Sequence, residues 1–93
     1  MTVATFHDSD GPGANERFER WRQAHPDGFI LNYGSPNDMV LHRPGCLHFV
    51  FHTPRSLTSY KKVCADSVDE LEAWAARNSR GLLRTCRTCS PRT

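Results

Sequence analysis

Four cysteines and five histidines stand in a chain of 93 residues, and their spacing sorts them. Cys86-Arg87-Thr88-Cys89 is a C-x-x-C pair, which lets one tight turn aim two thiolates at a single point. His42-Arg43-Pro44-Gly45-Cys46 is a second candidate pair, because Pro-Gly bends the chain and lets residues four apart converge. Together His42, Cys46, Cys86 and Cys89 form a Cys3His set, the donor chemistry of structural zinc with every tetrahedral position filled by protein. His48 and Cys64 compete with His42 for the fourth position. Outside that role Cys64 reads as a small buried hydrophobe on a strand. His7, His25 and His52 have no partner at ligand spacing and read as surface or turn histidines.

Other chemistries for the same residues fare worse. A thioredoxin-like role needs a strand, the C-x-x-C and then a long helix, and no helix pattern follows Cys89. A nuclease of the HNH type needs a general-base histidine with further acidic or His/Asn ligands around an open metal; His48 or His52 would be the base, but the ligands do not follow. The residues therefore favour a closed metal site over catalysis, with enzymatic activity the minority reading. The N-terminus lacks a basic and then apolar leader, and the longest apolar run, Cys46 to Phe51, is broken by His48. These features predict a cytoplasmic protein with no membrane contact. In a reducing compartment, cysteines serve metals or thiol chemistry more often than disulfides. A domain this small also buries too little surface to be comfortably stable, which a structural metal remedies.

The elements that must position these ligands follow from periodicity. Residues 1–13 carry turn formers and read as a flexible arm, with one α+β domain over residues 14–91. Phe18, Trp21 and Ala24 recur on one helical face within Asn15 to Ala24, and His25-Pro26-Asp27-Gly28 ends that helix. Phe29 to Tyr33 and Met39 to His42 predict a hairpin around a turn at Gly34 to Asp38. Leu57 to Ala65 predicts a third strand, and residues 47–52 are ambiguous. Ser67-Val68-Asp69-Glu70 has the capping-box pattern, so a second helix starts at Val68 with Leu71, Trp74 and Ala75 on its apolar stripe. Leu82-Leu83 then leads as an extended segment into Cys86. The expected fold is a zinc-stapled α+β domain with a short antiparallel sheet and two main helices.

Net charge is only +2, but it is unevenly spread. Residues 1–38 balance to −3 and residues 39–93 to +5. Arg43, Lys61, Lys62, Arg80, Arg84 and Arg87 are the candidate phosphate contacts, with Arg43, Arg84 and Arg87 next to or one residue removed from proposed ligands. A plain solvated face would have the same composition.

Two resemblances attach to these residues. The run Val40 to Leu47 and the closing Leu83 to Pro91 resemble the zinc-binding domain of the bacterial Ada DNA-repair protein, which pairs a Cys-x-x-Cys with an earlier cysteine-bearing turn. That resemblance implies a zinc fold near DNA. In that family the first cysteine accepts a methyl group, and His42 stands in its place, so alkyl transfer does not carry over. The whole chain is also similar to small actinobacterial domains found in HNH-nuclease and restriction contexts, through Phe18 and Trp21, Pro26 to Asn32, Leu41 to Cys46, Lys62 to Ser67, and Cys86 to Cys89. The expectation is a zinc-dependent nucleic-acid-binding module, DNA ahead of RNA, acting as an accessory or recognition domain in DNA repair, restriction or defence. The alternative is a protein-interaction module or regulator, docking a partner through the acidic N-terminal half and Phe18, Trp21, Phe29 or Tyr33.

Overall fold

The computed structural model describes residues 3–35, 38–46, 58, 60–78 and 83–87. In chain order it contains β1 (Ala4–Phe6), a short 3-10 turn (Asp8–Asp10), α1 (Ala14–Ala24), β2 (Phe29–Ser35), β3 (Asp38–His42), β4 (Lys61–Ala65), α2 (Val68–Asn78) and β5 (Arg84–Thr85). The five strands form one sheet in the order β1-β4-β2-β3-β5, antiparallel except where β5 runs parallel to β3. The expected α+β class with two main helices is thus what the chain forms, with a mixed rather than wholly antiparallel sheet.

Register decides what each face carries, because neighbouring residues on a strand point to opposite sides. Leu31, Leu41 and Val63 are paired across β2, β3 and β4, and they meet Leu71 and Ala75 of α2 in one core cluster. Ala4, Cys64, Ile30 and His42 are paired across four strands on the opposite side, where Ile30 and Cys64 pack with Phe18 of α1. The described residues therefore form three layers, with α1 on one face of the sheet and α2 on the other.

Local chemistry accounts for both helices. The Ser67 hydroxyl accepts the Glu70 N–H at 3.3 Å and donates to the Glu70 carboxylate at 3.2 Å, so the cap forms through the side chains predicted for it. At the far end of α2, Asn78 Nδ2 donates to the Trp74 carbonyl at 2.8 Å, and the Tyr33 ring meets Trp74 edge-on at 5.3 Å. The link from α1 to β2 depends on Gly28. A Cβ there would lie 2.8 Å from Trp21 Cη2 and 3.1 Å from the Ala65 carbonyl oxygen, so only glycine lets the strand start this close to the helix.

Three expectations differ from the structure. The arm expected over residues 1–13 contributes β1, which pairs with β4 and places Phe6 with its ring centroid 6.0 Å from that of Phe18. A three-residue strand is too short to show a period, so its partner on β4 decides it. The β2-β3 pairing continues to Ser35 and Asp38, past a register shift after Tyr33, so the hairpin is tighter than the predicted turn. The third strand begins at Lys61 rather than Leu57. The ambiguous run 47–52 lies outside the described residues.

The aromatic residues needed for a docking face are mostly spent on the core. Phe18 is fully buried, while Trp21, Phe29 and Tyr33 are partly buried against the two clusters. Tyr60 is the large hydrophobic side chain that stands exposed among the described residues.

Candidate metal centre

His42, Cys46 and Cys86 converge on the α1 face where β3 meets the segment after β5, with one ligand atom of each within 4.8 Å of the other two. Three separate local events bring them there. Strand β3 ends at His42, whose position opposite Ile30 turns its side chain to the α1 side. The Cys46 N–H then closes a turn on the Arg43 carbonyl at 3.1 Å, which returns Cys46 beside His42. Finally, the Cys86 N–H donates to the Leu41 carbonyl at 2.9 Å, extending the parallel β3-β5 register by one step so that Cys86 flanks His42.

The two cysteines are not disulfide-bonded, and their sulfurs are 3.8 Å apart. All three residues are buried, at 6%, 2% and 5% exposure for His42, Cys46 and Cys86, so water has little access to them. His42 Nδ1 is a buried polar atom with no hydrogen bond of its own among the described residues, although His42 has other interactions. A cluster of two thiols and an imidazole with this separation can hold a metal ion. Cys89 and His48 lie outside the described residues.

Cys64 is the competitor the sheet removes. It shares a row with His42, but Ile30 on β2 stands between them, and two strand spacings amount to about 9.6 Å. It is fully buried, and loss of hydration pushes its thiol well above the ordinary value despite nearby Lys62. A thiol held in its neutral form is a poor nucleophile. Cys64 is core, as its strand position suggested.

One residue the sequence reading did not single out supports the ligand turn. Arg22, in the last turn of α1, donates from Nη1 to the Pro44 carbonyl at 3.0 Å. The same guanidinium grips Glu19 with both remaining nitrogens, at 3.0 Å and 2.7 Å. Glu19 and Arg22 are three apart on the helix, so their pairing was visible in sequence. The third contact was not, because it spans 22 positions.

The candidate phosphate contacts separate into two groups. Arg43, Arg84 and Arg87 are exposed, and each is a chain neighbour or near neighbour of a ligand. Lys61 and Lys62 do not join them. Lys61 lies on the α2 face with its ammonium 5.9 Å from the Tyr33 ring centroid. Lys62 is turned inward on the α1 face at 5% exposure, where Nζ donates to Asn32 Oδ1 at 2.6 Å and more weakly to the Tyr60 carbonyl at 3.4 Å. Loss of hydration pulls its pKa down to about 8, against the opposing pull of Cys64 and Asp8. Its ammonium is engaged inside the protein and unsuited to gripping a phosphate. Arg80 lies outside the described residues.

Among the described residues, no helix is long and apolar enough to cross a membrane. No family model matches the chain, no curated protein is detectably similar to it, and no solved structure matches it.

Proposed function

We propose that the chain is a zinc-stapled nucleic-acid-binding module, with DNA ahead of RNA as ligand, serving as an accessory or recognition domain in DNA repair, restriction or defence. The observation that supports it is that three exposed arginines, Arg43, Arg84 and Arg87, are adjacent or nearly adjacent in the chain to the buried cluster residues His42, Cys46 and Cys86.

Zinc is the metal that suits this donor set. Two thiolates each about 2.3 Å from a tetrahedral ion stand about 3.8 Å apart, and the Cys46 and Cys86 sulfurs are separated by 3.8 Å. Cys89, three positions after Cys86, supplies the fourth ligand by the C-x-x-C logic. Three thiolates and an imidazole leave no position for a reactive water, so the ion's part is structural. It would tie the turn after β3 to the segment after β5, two pieces of chain forty residues apart.

The arginines then act on phosphate. A guanidinium offers parallel N–H donors that match two phosphate oxygens, a contact that positions a nucleic acid without reading its sequence. The Ada-like reading extends this far and stops short of methyl transfer, since His42 is no methyl acceptor.

Anisotropy of a labelled DNA duplex, titrated with zinc-loaded protein at several salt concentrations, tests the function. Log affinity should fall against log salt with a slope of about −0.9 per phosphate contact, or about −2.7 for three arginines. Joint charge reversal, Arg84→Glu with Arg87→Glu, should abolish binding while the zinc content stays at one per chain. Affinity no better than millimolar for both DNA and RNA at low salt would defeat the reading.

A further inference from the structure

A cavity of about 450 Å³ opens at the β5 edge, lined among the described residues by Val40, Arg84, Thr85 and Arg87. Among these four residues hydrogen-bond donors predominate. Two guanidinium groups and a hydroxyl provide donors, Val40 provides an apolar wall, and no carboxylate is among these lining residues. An anion with several acceptor oxygens is the complement of such a lining. The volume lies within the range of small-ligand sites, about 300 to 1,000 Å³, and far exceeds what a bare phosphate needs. It has room for the phosphate together with the sugar it is esterified to.

The same residues are tied to the metal centre. Cys86 stands between Thr85 and Arg87 in the chain, and Val40 is paired with Arg84 two residues before His42. Whatever fixes Cys86 against His42 and Cys46 also fixes the backbone from which both arginines project.

We infer that this cavity is a binding site for a sugar-phosphate ester, and that its occupancy is thermodynamically linked to the metal ion at His42, Cys46 and Cys86. The inference rests on the zinc and nucleic-acid reading above and deepens it by locating where one phosphate sits. The phosphate can come from a terminal monoester or from an internal diester of a strand. Coupling between two sites is reciprocal, so a ligand that binds better beside the metal must tighten the metal by the same factor.

The test uses the zinc-loaded full chain and deoxythymidine 5′-monophosphate as probe, followed by NMR shifts of the Thr85 amide and the arginine side-chain N–H groups. The probe should saturate those shifts, and Arg84→Gln and Arg87→Gln should each weaken it at least fivefold with zinc content unchanged. Saturating probe should raise the zinc affinity, measured against a competing chelator, at least threefold in the parent chain and not in the double variant. A 5′-phosphorylated oligonucleotide that binds at least fivefold tighter than its unphosphorylated twin assigns the site to a terminal phosphate, and equal binding through the same two arginines assigns it to the internal backbone. No saturable shift, unaltered affinity in both variants, or zinc affinity indifferent to the probe overturns the inference. Duplex binding that survives such a result leaves the proposed function standing; probe binding without any duplex binding removes the function and keeps the site.

Discussion

On the α1 face of the sheet, two buried polar clusters occupy adjacent rows. One row runs Ala4, Cys64, Ile30, His42 and ends at the candidate metal centre; the next runs Phe6, Lys62, Asn32, Val40 and Arg84. The interior cluster is completed by the chain. Asn32 and the Tyr60 carbonyl take the Lys62 ammonium, and Thr58 donates to Asp8 nearby at 2.5 Å. The edge cluster contains groups that serve poorly as mutual hydrogen-bond partners but well as metal ligands. Burial of polar groups is thus tolerated in two ways on one surface, by internal pairing at the centre and by a donor set suited to an ion at the rim.

Loss of the ion should produce the largest effect. Structural zinc contributes about 10 to 16 kcal/mol in small fingers, as much as the whole stability of a typical domain. Chelation, or Cys86→Ser, is expected to abolish the cooperative thermal transition seen by circular dichroism. A transition that persists unshifted would mean the edge cluster is no more dependent on a metal than the interior one.

The interior cluster should fail differently. Asn32→Leu removes the main acceptor of a buried ammonium and should cost about 3 kcal/mol in urea unfolding at pH 7. Lys62→Met removes the charge itself and should be neutral or stabilising, with zinc content unaffected. Equal losses in the two variants would deny that pairing is what keeps Lys62 inside.

The same lysine sets a pH dependence. Its folded pKa of about 8 lies below its unfolded value of 10.5, so between these limits the unfolded chain holds the extra proton. Stability should therefore rise from pH 8 to about pH 10.5, by about 2 kcal/mol once residual hydration is allowed for, and the full burial cost applies below pH 8. The rise should vanish in Lys62→Met.

Smaller effects probe the supports of the edge. Arg22→Ala frees the Pro44 carbonyl and loosens the ligand turn, and zinc affinity should drop about tenfold in a chelator competition, the low end for residues that support ligands. Gly45→Ala should be the mildest, within about 0.5 kcal/mol. Among the described residues beyond its chain neighbours, no atom lies within 4 Å of the added Cβ, and Gly45 is not among the positive-φ glycines. Pro-Gly is thus a turn signal here without a need for glycine's special conformations.

What could be read from sequence follows the same division. The Ser67 cap and the two helices are local patterns and formed as read, and the hairpin formed with a tighter turn than the spacing suggested. The spacing from His42 to Cys46 is local too, whereas Cys86 joins them in one cluster only through the β3-β5 pairing. Lys61-Lys62 looked like a basic pair because adjacent charges suggest a surface. A strand sends such neighbours to opposite faces, and with helices on both sides one of them must turn inward. That depends on which side each helix covers, a long-range fact that neither helix's own pattern contains. The parallel approach of β5 to β3 and the Arg22 contact to Pro44 were hidden for the same reason.

Metal content measured by native mass spectrometry on chain purified without chelator bears most directly on the central claim. One zinc per folded chain is the predicted result, with Cys46 and Cys86 protected from alkylation until the ion is stripped. A folded chain carrying no stoichiometric metal, with both thiols alkylated as fast as in an unfolded control, would contradict it.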